Sequence, residues 1–89
     1  MVIGYCIDAG TLETNEYLLY KEGKKDIISV KRRGSDIYRG DLIQITEVRK
    51  EKNLVGEIGL FEVVSQSVYD RKTKMHTLRI HFVRNREYR

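Results

Sequence analysis

Apolar residues recur at every second position through much of the chain. Between Met75 and Val83, Leu78, Ile80 and Phe82 fall on one side and Thr77, Arg79 and His81 on the other. Between Leu42 and Arg49, Ile43 and Ile45 alternate with Gln44 and Thr46. Between Asp26 and Arg32, Ile28 and Val30 alternate with Ile27 and Ser29. A period of two belongs to the β-strand, whose successive Cβ atoms point to opposite faces. Two apolar runs, Val2 to Ile7 and Glu16 to Lys21 with Tyr17-Leu18-Leu19-Tyr20 at its centre, read as further strands. Val55 to Ser67 is too long for one flat strand, and Gly56 and Gly59 within it imply a bend or bulge. The best helical stretch, Thr46 to Leu54, opens on a β-branched residue and contains Asn53, so no helix is expected.

The chain has no Pro, and its turns fall to Gly, Asn, Asp and Ser. They are expected at Asp8-Ala9-Gly10, Glu22-Gly23-Lys24-Lys25, Gly34-Ser35-Asp36, Arg39-Gly40-Asp41, Glu51-Lys52-Asn53 and Asp70-Arg71-Lys72-Thr73-Lys74. Short strands joined in this way predict an all-β fold, a small, mostly antiparallel barrel of about six strands. The expected core is Ile3, Ile7, Leu18, Ile28, Val30, Ile43, Ile45, Ile58, Leu60, Val64, Leu78, Ile80 and Phe82. Residues 1–83 are read as one domain and 84–89 as a frayed basic tail. A chain of 89 residues has no room for a second core. It buries only about 60–65% of its unfolded surface, so it gains from oligomerising or joining a larger assembly.

Charge is distributed unevenly. Arg71 to Arg89 holds seven Lys or Arg and one Glu, whereas residues 1–70 hold ten basic and twelve acidic side chains. The formal net charge of +4 therefore comes from one end, which points to a polyanionic partner. Arg71, Lys72 and Lys74 would occupy a hairpin tip, Arg79 an outward strand face, and Arg84 the residue beyond it. Lys31, Arg32 and Arg33 form a second basic run that widens the surface if it folds nearby. Such a surface can follow a phosphate backbone, each contact releasing counterions. The same charges also suit a solvated face that blocks strand pairing at an edge, or an acidic protein partner.

Single-strand binding by a barrel requires exposed rings on which bases stack. The six Tyr are dispersed, and Tyr69 and Tyr88, flanked by basic residues, are the best placed. The others are read as rim residues with their hydroxyls in water. His76 and His81 lie five apart on an expected strand, so they face opposite ways and share no metal ion. No cofactor or metal is expected. Cys6, the single cysteine, sits in an apolar strand, where a thiol is ordinarily an inert small hydrophobe. It forms no intramolecular disulfide and suits a reducing, cytoplasmic setting. No apolar run reaches membrane-spanning length and no signal-peptide pattern is visible. Without a Gly-x-x-x-x-Gly-Lys-Ser/Thr loop or a recognisable triad, the chain is expected to be non-enzymatic.

Several segments carry a resemblance: Val2-Ile3-Gly4-Tyr5-Cys6-Ile7, Gly10-Thr11-Leu12, Tyr17-Leu18-Leu19, Gly40-Asp41-Leu42-Ile43-Gln44-Ile45 and Val55-Gly56-Glu57-Ile58. Over residues 2–66 the chain resembles the HAS-barrel, the small barrel at the N-terminus of HerA-type DNA translocases and of ATP synthase subunits. The resemblance implies a first strand passing through a small-residue turn into a second, with a later strand opened by the Gly-Asp step. It also implies a role in assembly, through ring formation or docking of a partner within a DNA-processing complex. The Glu22–Arg39 connection is longer than that family's, and the Met75–Val83 arm has no clear counterpart. An OB-fold accommodates the same strands. The leading expectation is a module that binds nucleic acid, DNA or RNA, or acts within a DNA-processing complex. In it Arg71, Lys72, Lys74, Arg79 and Arg84 contact phosphates and Tyr69 stacks. The alternative is a protein–protein assembly module, including a homo-oligomer, that touches no nucleic acid.

Overall fold

A computed structural model describes residues 6–31, 36–51 and 54–86. Ile3, Arg32, Arg33, the Gly34-Ser35 and Lys52-Asn53 turn residues and the end of the expected tail lie outside the described residues. The elements run β1 (Cys6–Glu13), α1 (Thr14–Lys21), β2 (Ile27–Lys31), β3 (Leu42–Arg49), β4 (Leu54–Val63), β5 (Val68–Asp70) and β6 (Met75–Asn85). They form one six-stranded sheet in the order β1-β3-β4-β6-β2, with β5 also paired to β6. The sheet curls into a half-barrel and is mostly antiparallel, as the alternation predicts; β1 and β3 run parallel.

The register lines up one side chain from each of β1, β3, β4 and β6 across the concave face. Ile7 pairs with Ile43, Ile43 with Phe61, and Phe61 with Phe82. Next to this row lie Ile45, Val63, Ile80, Leu78 and Val30, all buried. Phe61 meets Phe82 and Tyr17 edge-on, with ring centroids 5.4 and 6.2 Å apart, the arrangement that ring quadrupoles favour. Ile58 and Leu60 are buried as expected but lie outside this main cluster. Ile28 and Phe82 pack against it half-buried, and Val64 is half-buried.

Two expectations are corrected. The expected strand from Glu16 to Lys21 is the helix α1. Tyr17 and Tyr20, three apart, share one helical face and plug the concave side of the sheet. A strand would have turned Tyr17 and Tyr20 to opposite faces. Leu18, expected in the core, is instead 37% exposed. Gly23, expected in a turn between strands, ends the helix. At φ 79 its N–H bonds the Tyr20 carbonyl, while the Lys24 N–H bonds the Leu19 carbonyl at 2.9 Å. These two bonds are those of a Schellman cap, which needs the left-handed backbone that glycine adopts without a Cβ clash.

Second, Asp8-Ala9-Gly10 does not end the first strand. It is a bulge inside β1: Ala9 and Gly10, between the paired Asp8 and Thr11, oppose the single Ile45 between Gln44 and Thr46. Gly10 has φ 94, and its N–H donates to Asp8 Oδ1 at 2.9 Å. In the Thr46 to Leu54 stretch the expectation of no helix holds for the described residues: Thr46 to Arg49 belong to β3, and Leu54 opens β4. The bend expected near Gly56 is present: from Ile58 to Val55, β4 has one residue more than β3 has from Thr46 to Val48.

Candidate nucleic-acid interface

β5 and β6 form the expected hairpin. Asp70 pairs with Met75, and Arg71, Lys72, Thr73 and Lys74 make its four-residue tip. Asp70 Oδ1 accepts the Lys72 N–H at 2.8 Å, and the Lys74 N–H donates to the Asp70 carbonyl at 2.7 Å. The tip is thus braced from within, and Lys74 closes it at φ 59. Arg71, Lys72 and Lys74 are all exposed. Lys31, far away in sequence, joins them, because β2 pairs with β6 and puts Lys31 opposite Met75. Among the described residues, no carboxylate lies within ion-pair distance of Arg71, Lys72, Lys74 or Lys31.

The rest of the basic C-terminal run is not part of this cluster. Arg79 is outward as expected, but its Nε lies 3.1 Å from Asp26 Oδ2, so its charge already has a partner. Arg84 pairs with Leu60, nine residues along β6 from Met75; at a strand's rise this is up to roughly 30 Å from the tip. Nor is the start of the expected tail loose. β6 runs on to Asn85, the Arg86 N–H donates to the Ile58 carbonyl at 2.7 Å, and the Arg86 guanidinium bonds Gln44.

Tyr69 is half-exposed on β5 and lies against its cross-strand neighbour His76, with centroids 4.8 Å apart and planes inclined at 46°. His76 is 3% exposed, and its Nδ1 has no hydrogen-bond partner among the described residues. His81 faces outward, and the opposite orientation of the two histidines is as the alternation predicts. Among the described residues, no three His, Cys, Asp or Glu side chains are grouped as metal ligands. Cys6 is exposed rather than packed inside a strand. The burial it does have pushes its thiol pKa up, opposed by the charge of Arg86, which leaves little thiolate at neutral pH.

The sequence reading missed a polar network where α1 meets the Gly56 bulge. Glu47 is 5% exposed, and its Oε1 accepts the Glu57 N–H at 2.9 Å. Glu57 takes a 2.6 Å ion pair from Lys21 and a 3.2 Å bond from the Tyr17 hydroxyl. The Glu57 N–H and then Thr14 hold Glu47 below the usual carboxylate range. The Lys21 bond chiefly does the same for Glu57. Burial, with Glu57 alongside, pushes the Tyr17 phenol well above its ordinary pKa. None of the three is tuned toward neutrality, where a general acid or base works best. The network is a joint between helix and sheet. A signal for it was present: Glu47 is the third inward position after Ile43 and Ile45.

No known protein family, curated protein or solved structure matches the chain. Among the described residues, no helix is long and apolar enough to cross a membrane.

Proposed function

We propose that this chain is a non-enzymatic module that binds nucleic acid, alone or within a DNA-processing complex, through the β5–β6 hairpin tip and the adjoining end of β2. One observation carries the reading: Arg71, Lys72, Lys74 and Lys31 are brought together with no carboxylate partner among the described residues. Elsewhere the cations are largely paired: Lys21 with Glu57, Lys24 with Glu22, Lys25 with Glu16, Lys50 with Glu13 and Arg79 with Asp26. Unpaired cations on a braced turn can meet phosphates without first breaking an internal bond. Arg32 and Arg33 directly follow Lys31 in sequence and extend the same reading. Fluorescence anisotropy on labelled DNA and RNA across a salt series tests it. Four phosphate contacts give a log–log salt slope of roughly −3 to −4. No binding at low salt, or binding and slope unaltered by a triple Arg71/Lys72/Lys74→Ala change, would overturn the proposal.

A second reading has its own observation. The sheet is a half-barrel whose order ends on β1 and β2, with β5 paired only to β6, so the outer edges of β1, β2 and β5 have no sheet neighbour among the described residues. An open edge accepts a further strand from a partner or a second copy, the mode of the assembly role that the HAS-barrel resemblance implies. Light scattering after size exclusion separates the two. A discrete oligomer that persists in moderate salt, with no oligonucleotide binding, favours assembly.

A further inference from the structure

The four described tyrosines divide into two kinds. Tyr17 and Tyr20 are 0% and 7% exposed in the core, whereas Tyr38 and Tyr69 are 65% and 48% exposed. The exposed pair does not belong to loose chain. The Tyr38 N–H donates to Asp41 Oδ2 at 2.9 Å, the Asp41 N–H returns to the Tyr38 carbonyl, and the Gly40 N–H bonds the Val63 carbonyl at 2.8 Å. Gly40, at φ 97, permits this tight turn. Tyr69 is held by the β5–β6 ladder and by the His76 ring beneath it.

The two segments that carry these rings are tied by a side-chain bond rather than by sequence. The Ser67 hydroxyl donates to the Ile37 carbonyl at 2.9 Å, one residue before Tyr38 and two before Tyr69. Tyr38, Arg39 and Gln66 line an open hollow of about 560 Å³ between the Tyr38 turn and the β4–β5 connection. Arg39 Nε donates to the Val64 carbonyl at 3.2 Å, which fixes the guanidinium beside that hollow. Two residues beyond Tyr69 the cationic tip begins.

We propose that Tyr38 and Tyr69 are a two-ring stacking platform, and that the nucleic acid this surface takes is single-stranded. Bases in a duplex are stacked on one another and cannot lie on protein rings, whereas unpaired bases can, whatever their sequence. Arg39 and Gln66 supply polar groups beside the first ring, and the hairpin cations hold the backbone beside the second. The inference rests on the nucleic-acid reading above.

The test compares oligothymidylate and oligouridylate with a DNA duplex of equal length at low salt. Wild type, Tyr38→Ala, Tyr69→Ala, the two Tyr→Phe variants and Lys72→Ala are measured, with circular dichroism as the folding control. Single strands are expected to bind at least tenfold tighter than duplex. Each Tyr→Ala change should weaken single-strand binding by roughly 5- to 100-fold and leave the salt slope alone, while Tyr→Phe retains affinity. Lys72→Ala should instead reduce the slope. Duplex binding equal to or tighter than single-strand binding, with the Lys72 effect intact, overturns the platform and leaves the nucleic-acid reading standing. No binding to either form overturns both.

Discussion

Replacing Glu47 with Gln tests the joint that sets α1 on the sheet. The side chain is almost fully buried, and its carboxylate accepts the Glu57 N–H at 2.9 Å. Hydrogen bonds to a charged group contribute about 1.5–3 kcal/mol each, against about 1 for a neutral pair. Gln keeps the shape and an oxygen for the Glu57 N–H. The loss is therefore the charged part of that bond, about 0.5–2 kcal/mol, or a fall of roughly 2–15 °C in Tm for a domain of this size. The effect should depend on pH. Glu47 has a folded pKa below its unfolded one, so between the two the unfolded chain binds more protons and stability rises with pH. Its contribution is complete above the ordinary carboxylate range and disappears as pH falls through the depressed folded value. Urea melts followed by far-UV circular dichroism at pH 7 and in strong acid should show a gap between wild type and Glu47→Gln that closes in acid. Residual pH dependence in the variant would come from Glu57, whose pKa is lowered chiefly by Lys21. An absent gap at pH 7, or an undiminished one in acid, would refute the reasoning.

Gly59 sits under the Tyr17 ring, where an added Cβ would lie 2.5 Å from the hydroxyl and 2.9 Å from Phe61 Cε1. Gly59→Ala should cost about 1–3 kcal/mol by overpacking, and an unchanged Tm would refute this contact. Lys74 holds φ 59 without being glycine; Lys74→Gly should relieve that backbone and stabilise by up to about 1 kcal/mol while lowering the salt slope of oligonucleotide binding. Unchanged stability would count against the turn, and an unchanged slope against the interface. Arg79 already pairs with Asp26, so Arg79→Ala should weaken oligonucleotide binding less than Lys72→Ala. The reverse order in anisotropy titrations would remove the distinction between paired and unpaired cations.

The strands that were legible were those with strict alternation. Ile43, Ile45, Leu78, Ile80 and Val30 face the core because a period of two leaves only one face for them. Tyr17-Leu18-Leu19-Tyr20 was misread because a short apolar run has no period of its own. The Gly23 stop signal was available, but it marks a hairpin turn equally well. Phe61 and Val63, buried but absent from the expected core, lie in the run Ile58 to Val64, where apolar residues occupy both faces and register alone selects. Ile37 follows the Gly34-Ser35-Asp36 turn signal and is buried by a loop that crosses to Ser67, a contact no local pattern encodes.

The candidate site shows the same division. Local pattern alone specified a mostly β chain, a β5–β6 hairpin with Arg71, Lys72 and Lys74 at its tip, and the outward direction of Arg79, since each depends only on neighbours a few residues apart. Which charges act together depends on long-range packing. β2–β6 pairing brings Lys31 to the tip, the length of β6 carries Arg84 away, and Asp26 takes Arg79. It also buried two tyrosines and left Tyr38 and Tyr69 exposed. A run of charge in sequence becomes a surface only when strand register sets which residues are adjacent, and register is a property of the whole sheet.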